Sequence, residues 1–96
     1  MSPINKKKLK KLRQSLDKLD NSFIKLIKKR TRLVKEVLKL KQYKNEIVDK
    51  ERIKIILSQI RKKSIKNKID PKITNRIWKN MILSYIDYEK RNFRKK

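Results

Sequence analysis

An arginine stands where a helix should carry a leucine. Leu9, Leu12, Leu16, Leu19, Phe23, Leu26, Leu33 and Val37 step by three and four, the stripe of one amphipathic helix. At about 100° per residue, Arg30 falls within about 20° of the line through Leu19, Phe23 and Val37, and Lys41 lies about 20° from Arg30. Two cations thus interrupt the face this helix should bury. Buried charge is costly unless paired. An anionic ligand is one partner that would satisfy it. An internal salt bridge is the alternative for Arg30, and a side chain reaching back to water is the alternative for Lys41. Glu89 repeats the anomaly with opposite sign. It lies three and four residues from Ile86 and Tyr85, on the apolar side of a later helix, unless that helix frays before reaching it.

Composition narrows the chemistry. The 96 residues contain no Cys, His or Gly. Thiolate nucleophiles, imidazole bases, the usual zinc sites and glycine-built phosphate loops are excluded. Only Arg, Lys, carboxylates, hydroxyls and amides remain. With 32 Lys and Arg against nine acids the net charge is +23, which suggests a polyanion partner. Codon bias toward A/T explains the same excess, since Lys, Ile and Asn dominate and the cations are spread over all segments. Lys outnumbers Arg 24 to eight, so an Arg at a site position is the more informative cation. No stretch approaches the ~20 apolar residues of a membrane span, and the run Lys6-Lys7-Lys8 has no apolar segment behind it. A cytoplasmic protein is the expectation.

The elements that must hold these residues are three helices and no strands. The first runs from about Lys7 to Lys41, roughly 50 Å if straight, and a helix so long calls for a partner along its length. The second follows an Asp49 cap, with Val48 and Ile53 spaced as a hydrophobic staple, and continues through Ile56, Leu57 and Ile60 to about Ser64. The third starts at Asp70-Pro71, a cap followed by proline in the first turn. Its stripe is Ile73, Ile77, Met81, Ile82, Tyr85, Ile86, Glu89 and Phe93. The connectors, 42–48 and 65–69, are short and polar-leaning. One domain over 9–93 is expected, flanked by basic tails at 1–8 and 94–96.

Residues Leu12 to Asp20 read L-R-x-x-L-D-x-L-D. Arg30, Lys41, Asp49-Lys50-Glu51-Arg52, Asp70-Pro71 and an inward acid on the third helix follow in order. This series resembles the all-helical class of chorismate mutase over nearly the whole chain, about Leu9 to Phe93. The resemblance implies an intertwined homodimer of three-helix subunits with sites shared between subunits. It implies the Claisen rearrangement of chorismate to prephenate, toward phenylalanine and tyrosine, with no cofactor and no metal. Arg30 would clamp one substrate carboxylate, and Arg13 would reach the other from the partner subunit. Lys41 would bond the ether oxygen and a carboxylate, and Arg52 would sit near the mouth. Glu89 occupies the place where many members have Gln, the second donor to that oxygen. Tyr85 is compatible with the same site.

Such a reaction suits the composition. A pericyclic step needs no nucleophile, only a held conformer and stabilised charge on the ether oxygen. A planar guanidinium binds a carboxylate at two points, so Arg→Lys at position 30 should be damaging despite equal charge. Glu89 can donate a hydrogen bond only when protonated. Burial favours protonation and nearby cations oppose it. Many mutases have a glutamate directly after the arginine matched by Arg52, where it binds the substrate's ring hydroxyl. Here that residue is Ile53, and Asp49 or Glu51 is the nearest substitute. Glu51-Arg52-Ile53 also resembles the isochorismate pyruvate lyases of the same fold. The biased composition points to a small genome, which favours an aromatic-amino-acid step over salicylate production. A basic helical nucleic-acid binder using Trp78 and Tyr43 as stacking groups is the non-enzyme alternative. A coiled-coil interaction protein explains the first helix but neither Arg30 nor Glu89.

Overall fold

The computed structural model describes residues Met1 to Arg94; of the basic tail expected over 94–96, Lys95 and Lys96 lie outside them. It is all-α, as the periodicity required. Helix α1 spans Pro3–Leu40, α2 Lys50–Lys66 and α3 Pro71–Asn92, with one 3-10 turn at Lys44–Glu46 between α1 and α2. Among the described residues there is no strand.

Helix α1 starts earlier than Lys7. Ser2 caps it by accepting from the Asn5 amide at 3.1 Å, and Pro3 occupies the first helical position. Ser2-Pro3 repeats the cap-and-proline pattern of Asp70-Pro71. At α2 the Asp49 carboxylate accepts from the Arg52 amide at 3.0 Å. At α3 the Asp70 carboxylate accepts from the Lys72 amide at 2.9 Å. Both caps stand where the sequence placed them.

The chain divides into two compact units, Met1–Val34 and the residues from Lys35 onward. In the first, the stripe is bare: Leu12, Leu16, Leu19, Phe23 and Leu26 are all more than half exposed. Phe23 is 59% exposed, so truncating it removes no core from the single chain. Arg30 reverses the usual order. It is half-buried and its Nε is shielded from solvent, while the leucines along the same stripe face water.

The second unit is built on a hairpin of α2 against α3. Ile53, Ile56, Leu57 and Ile60 supply the inner side of α2, as expected. The inner side of α3 differs in its first half. Ile73 and Ile77 are about half exposed, and Pro71, Thr74 and Trp78 take the inward positions instead. Thr74 is drawn inward by Ser64, whose hydroxyl lies 2.6 Å from the Thr74 hydroxyl and also donates to the Ile60 carbonyl at 2.6 Å. Ser64 is one of the most buried residues of the chain.

The α2–α3 connection solves a problem set by the lack of glycine. The Ile69 amide donates to the Ser64 carbonyl at 2.9 Å and the Lys68 amide to the Ile65 carbonyl at 3.1 Å, the paired bonds of a Schellman ending. That ending needs one residue in the left-handed region, and Lys68 supplies it at φ 57°. A side chain with a Cβ pays about 1–2 kcal/mol there.

Candidate active site

The strongest convergence lies within the second unit. Lys41 follows the last turn of α1, and Glu89 sits one turn before the end of α3. The Lys41 Nζ donates to Glu89 Oε1 at 3.1 Å, with side-chain exposures of 17% and 8%. Helix α3 does not fray before Glu89; it continues to Asn92. Lys41 does not reach for water. Two of the three charged residues that the apolar periodicity singled out, 48 positions apart, are one buried ion pair. Burying both charges is costly, and the attraction between them offsets that cost only at close range. An ammonium held this way keeps two further N–H donors for an anionic or ether oxygen nearby.

Two features adjoin the pair along the chain. The segment 42–48 is not the plain polar connector expected. Its 3-10 turn is tied by Glu46 accepting from the Tyr43 amide at 3.2 Å and by Glu46 and Ile47 amides bonding back to the Tyr43 and Lys44 carbonyls. Ile47 closes this turn at 3% exposure, the most buried apolar side chain of the chain. Ile47-Val48, an apolar pair inside a polar stretch, was the available signal. On α3, Tyr85 lies one turn before Glu89 and is half-buried.

The remaining candidates are placed as follows. Arg52 is exposed in the first turn of α2. Asp49 is occupied in capping that helix through Arg52's own amide, so its carboxylate is held beside the start of α2. Ile53, in the position after Arg52, is half-buried and offers no polar group. In the first unit, Arg13 is exposed and borders a groove of about 550 Å³ with Lys6, Leu9, Lys10, Gln14 and Asp17. Arg30 is in that unit too, half-buried as described. Among the described residues no group of acids could hold a metal ion, and no helix is long and apolar enough to cross a membrane.

A part-buried paired cation and arginines in series along the helices are groups that suit binding a small polyanion. Comparison with known proteins identifies the family. A family model described as chorismate mutase type II matches residues 12–90, a span that holds Arg13, Arg30, Lys41, Arg52 and Glu89. The chain is 37% identical over 76 residues to a chorismate mutase of Methanocaldococcus jannaschii, covering 78% of this chain and 77% of that protein. No solved structure matches it. By family match and by identity alike, this chain belongs to the type II chorismate mutases.

Proposed function

We propose that this chain rearranges chorismate to prephenate, and that it does so by clamping the substrate between fixed cations. The observation that carries the reading is the Lys41–Glu89 pair: a nearly buried ammonium already oriented at an inward acid, both on the positions the family resemblance assigns to the ether oxygen.

The reaction is an intramolecular exchange of bonds. The ether C–O bond breaks while a C–C bond forms, and no proton, electron or group leaves the molecule. The protein therefore works on conformation and charge. Arg30 takes one carboxylate through the two parallel N–H bonds of a guanidinium fork. Arg13, contributed by a second copy of the chain, takes the other, and Arg52 guards the mouth. Lys41 places a point charge where negative charge grows on the ether oxygen, the interaction that strengthens most as the bond breaks. Glu89, when protonated, adds a second donor to that oxygen. Tyr85 and Asp49 border the ring. A homodimer is the assembly that makes these assignments possible. Its support is the uncovered stripe of α1, where five large apolar side chains from Leu12 to Leu26 face water in the single chain.

The test is product identification. Purified protein is incubated with chorismate and, separately, with isochorismate. Prephenate from the first is expected. Salicylate and pyruvate from the second, with no prephenate from the first, would replace the mutase by a lyase. Neither product from either substrate would end the reading. Arg30→Lys is expected to lower kcat/KM by about 100-fold or more, because a point charge cannot replace the bidentate fork.

A further inference from the structure

The second unit has a charge gradient that the proposed reaction does not use. Between Arg61 and Lys79 stand eight Lys or Arg and a single acid, Asp70. All eight cations are exposed. They come from the last turns of α2, the Schellman connection and the first turns of α3, three segments that the hairpin folds into one end. Asp70 offsets only one of the eight, and its carboxylate also accepts from the Lys72 amide at the α3 cap. The opposite end, residues 44–54 and 84–94, holds five of the nine acids of the chain against seven cations. One end of the hairpin thus carries +7 and the other +2. Codon bias raises lysine everywhere. It does not sort the acids to one end.

The basic end also has shape. A groove of about 410 Å³ runs between α2 and α3, lined by Leu57, Ser58, Arg61, Pro71, Lys72 and Asn75. Its polar lining is two cations, a hydroxyl and an amide, with no carboxylate. Along α3, Lys72, Arg76 and Lys79 follow at four and three residues, rises of about 6 and 4.5 Å. Phosphates along a nucleic-acid strand recur on the same scale. No exposed aromatic residue lies in the segment, because Trp78 is half-buried between the helices. A surface with cations and no stacking platform reads backbone charge and not bases.

We propose that the closed end of the α2–α3 hairpin, centred on Arg61, Lys62, Lys66, Lys72 and Arg76, is a docking surface for the phosphodiester backbone of nucleic acid, separate from the Lys41–Glu89 site. Binding is independent of base sequence and depends on salt.

The experiment compares two variants of identical net charge. One carries Lys62→Glu, Lys66→Glu, Lys72→Glu and Arg76→Glu. The other carries Lys11→Glu, Lys18→Glu, Lys25→Glu and Lys29→Glu on the polar side of α1. Each full-length protein is titrated into a labelled oligouridine of about 20 nucleotides, with anisotropy read at several salt concentrations. The hairpin variant is expected to lose at least about tenfold more affinity than the α1 variant, and its log K against log salt slope to flatten by up to about 3, four single-strand contacts at about 0.7 each. Circular dichroism and mutase turnover check that both variants fold. Should the reversals prevent folding, glutamine at the same four positions is used, with about threefold greater loss than the matching α1 set. Equal weakening by the two sets overturns the proposal, as does absence of binding by the unaltered protein. Polyglutamate held as tightly as the RNA through the same four positions would assign the surface to an acidic protein and overturn it too.

Discussion

Breaking the Lys41–Glu89 pair at Lys41 should cost more than removing it whole. At 3.1 Å and an effective dielectric of about 20 the Coulomb attraction is about 5 kcal/mol. Desolvating a carboxylate left with 8% exposure and an ammonium left with 17% takes back most of that, so the pair contributes little net stability. A stranded partner has no such compensation. Lys41→Met leaves Glu89 enclosed at the end of α3 and is expected to cost about 3 kcal/mol, the low end of the range for a broken buried pair. Glu89→Leu strands the more exposed Lys41, whose longer stem can turn toward water, and should cost about 1.5 kcal/mol. The double variant should cost only about 2 kcal/mol, leaving a coupling energy of about 2–3 kcal/mol. The assay is urea unfolding at one fixed protein concentration, read by far-UV circular dichroism and Trp78 fluorescence. Costs that add to within about 0.5 kcal/mol would mean the pair does not exist in solution, and the reading of Lys41 as a pre-oriented ammonium would go with it.

Four further outcomes follow from the same geometry. Glu89→Gln makes position 89 a hydrogen-bond donor in every state, so kcat should be retained or rise; a loss of about 100-fold would remove position 89 as a donor to the ether oxygen. Ser64→Ala deletes the hydroxyl that joins α2 to Thr74 and should destabilise by about 1–2 kcal/mol in the same urea assay, without changing KM. Lys68→Gly relieves the left-handed residue and should raise stability by about 0.5–1 kcal/mol, a melting-temperature gain of about 2–8 °C, with turnover unaffected. Phe23→Glu puts a charge into the bare stripe of α1; sedimentation should show fewer dimers and turnover should fall with them, and an unchanged sedimentation profile would contradict the homodimer.

How much was legible in the sequence depends on which forces acted locally. The helix count, the caps at Asp49 and Asp70, and the inward residues of α2 follow from periodicity and short-range hydrogen bonding, and all appear in the structure. Lys41 and Glu89 were found because each breaks a stripe, a signal that survives without knowing the fold. Their pairing was not visible, since nothing local links positions 48 apart. Ile73 and Ile77 misled for the same reason. They sit at helical spacing, but the Ser64–Thr74 contact sets the rotation of α3's first half and turns them outward. The connection at 67–69 hid its left-handed residue because no glycine marked it. Of the proposed site, the order of cations was readable and their relative geometry was not.

Lys68 also records where this chain's composition stops being a surface matter. Surplus lysine on a solvated helix is nearly neutral, and drift toward A/T-rich codons can deposit it there freely. At a backbone position with positive φ the same drift meets a steric penalty, because glycine's G-rich codons are the ones such drift erodes. The protein keeps its turn and accepts the strain. Placing glycine there would therefore measure what this lysine costs the fold, apart from any effect on catalysis.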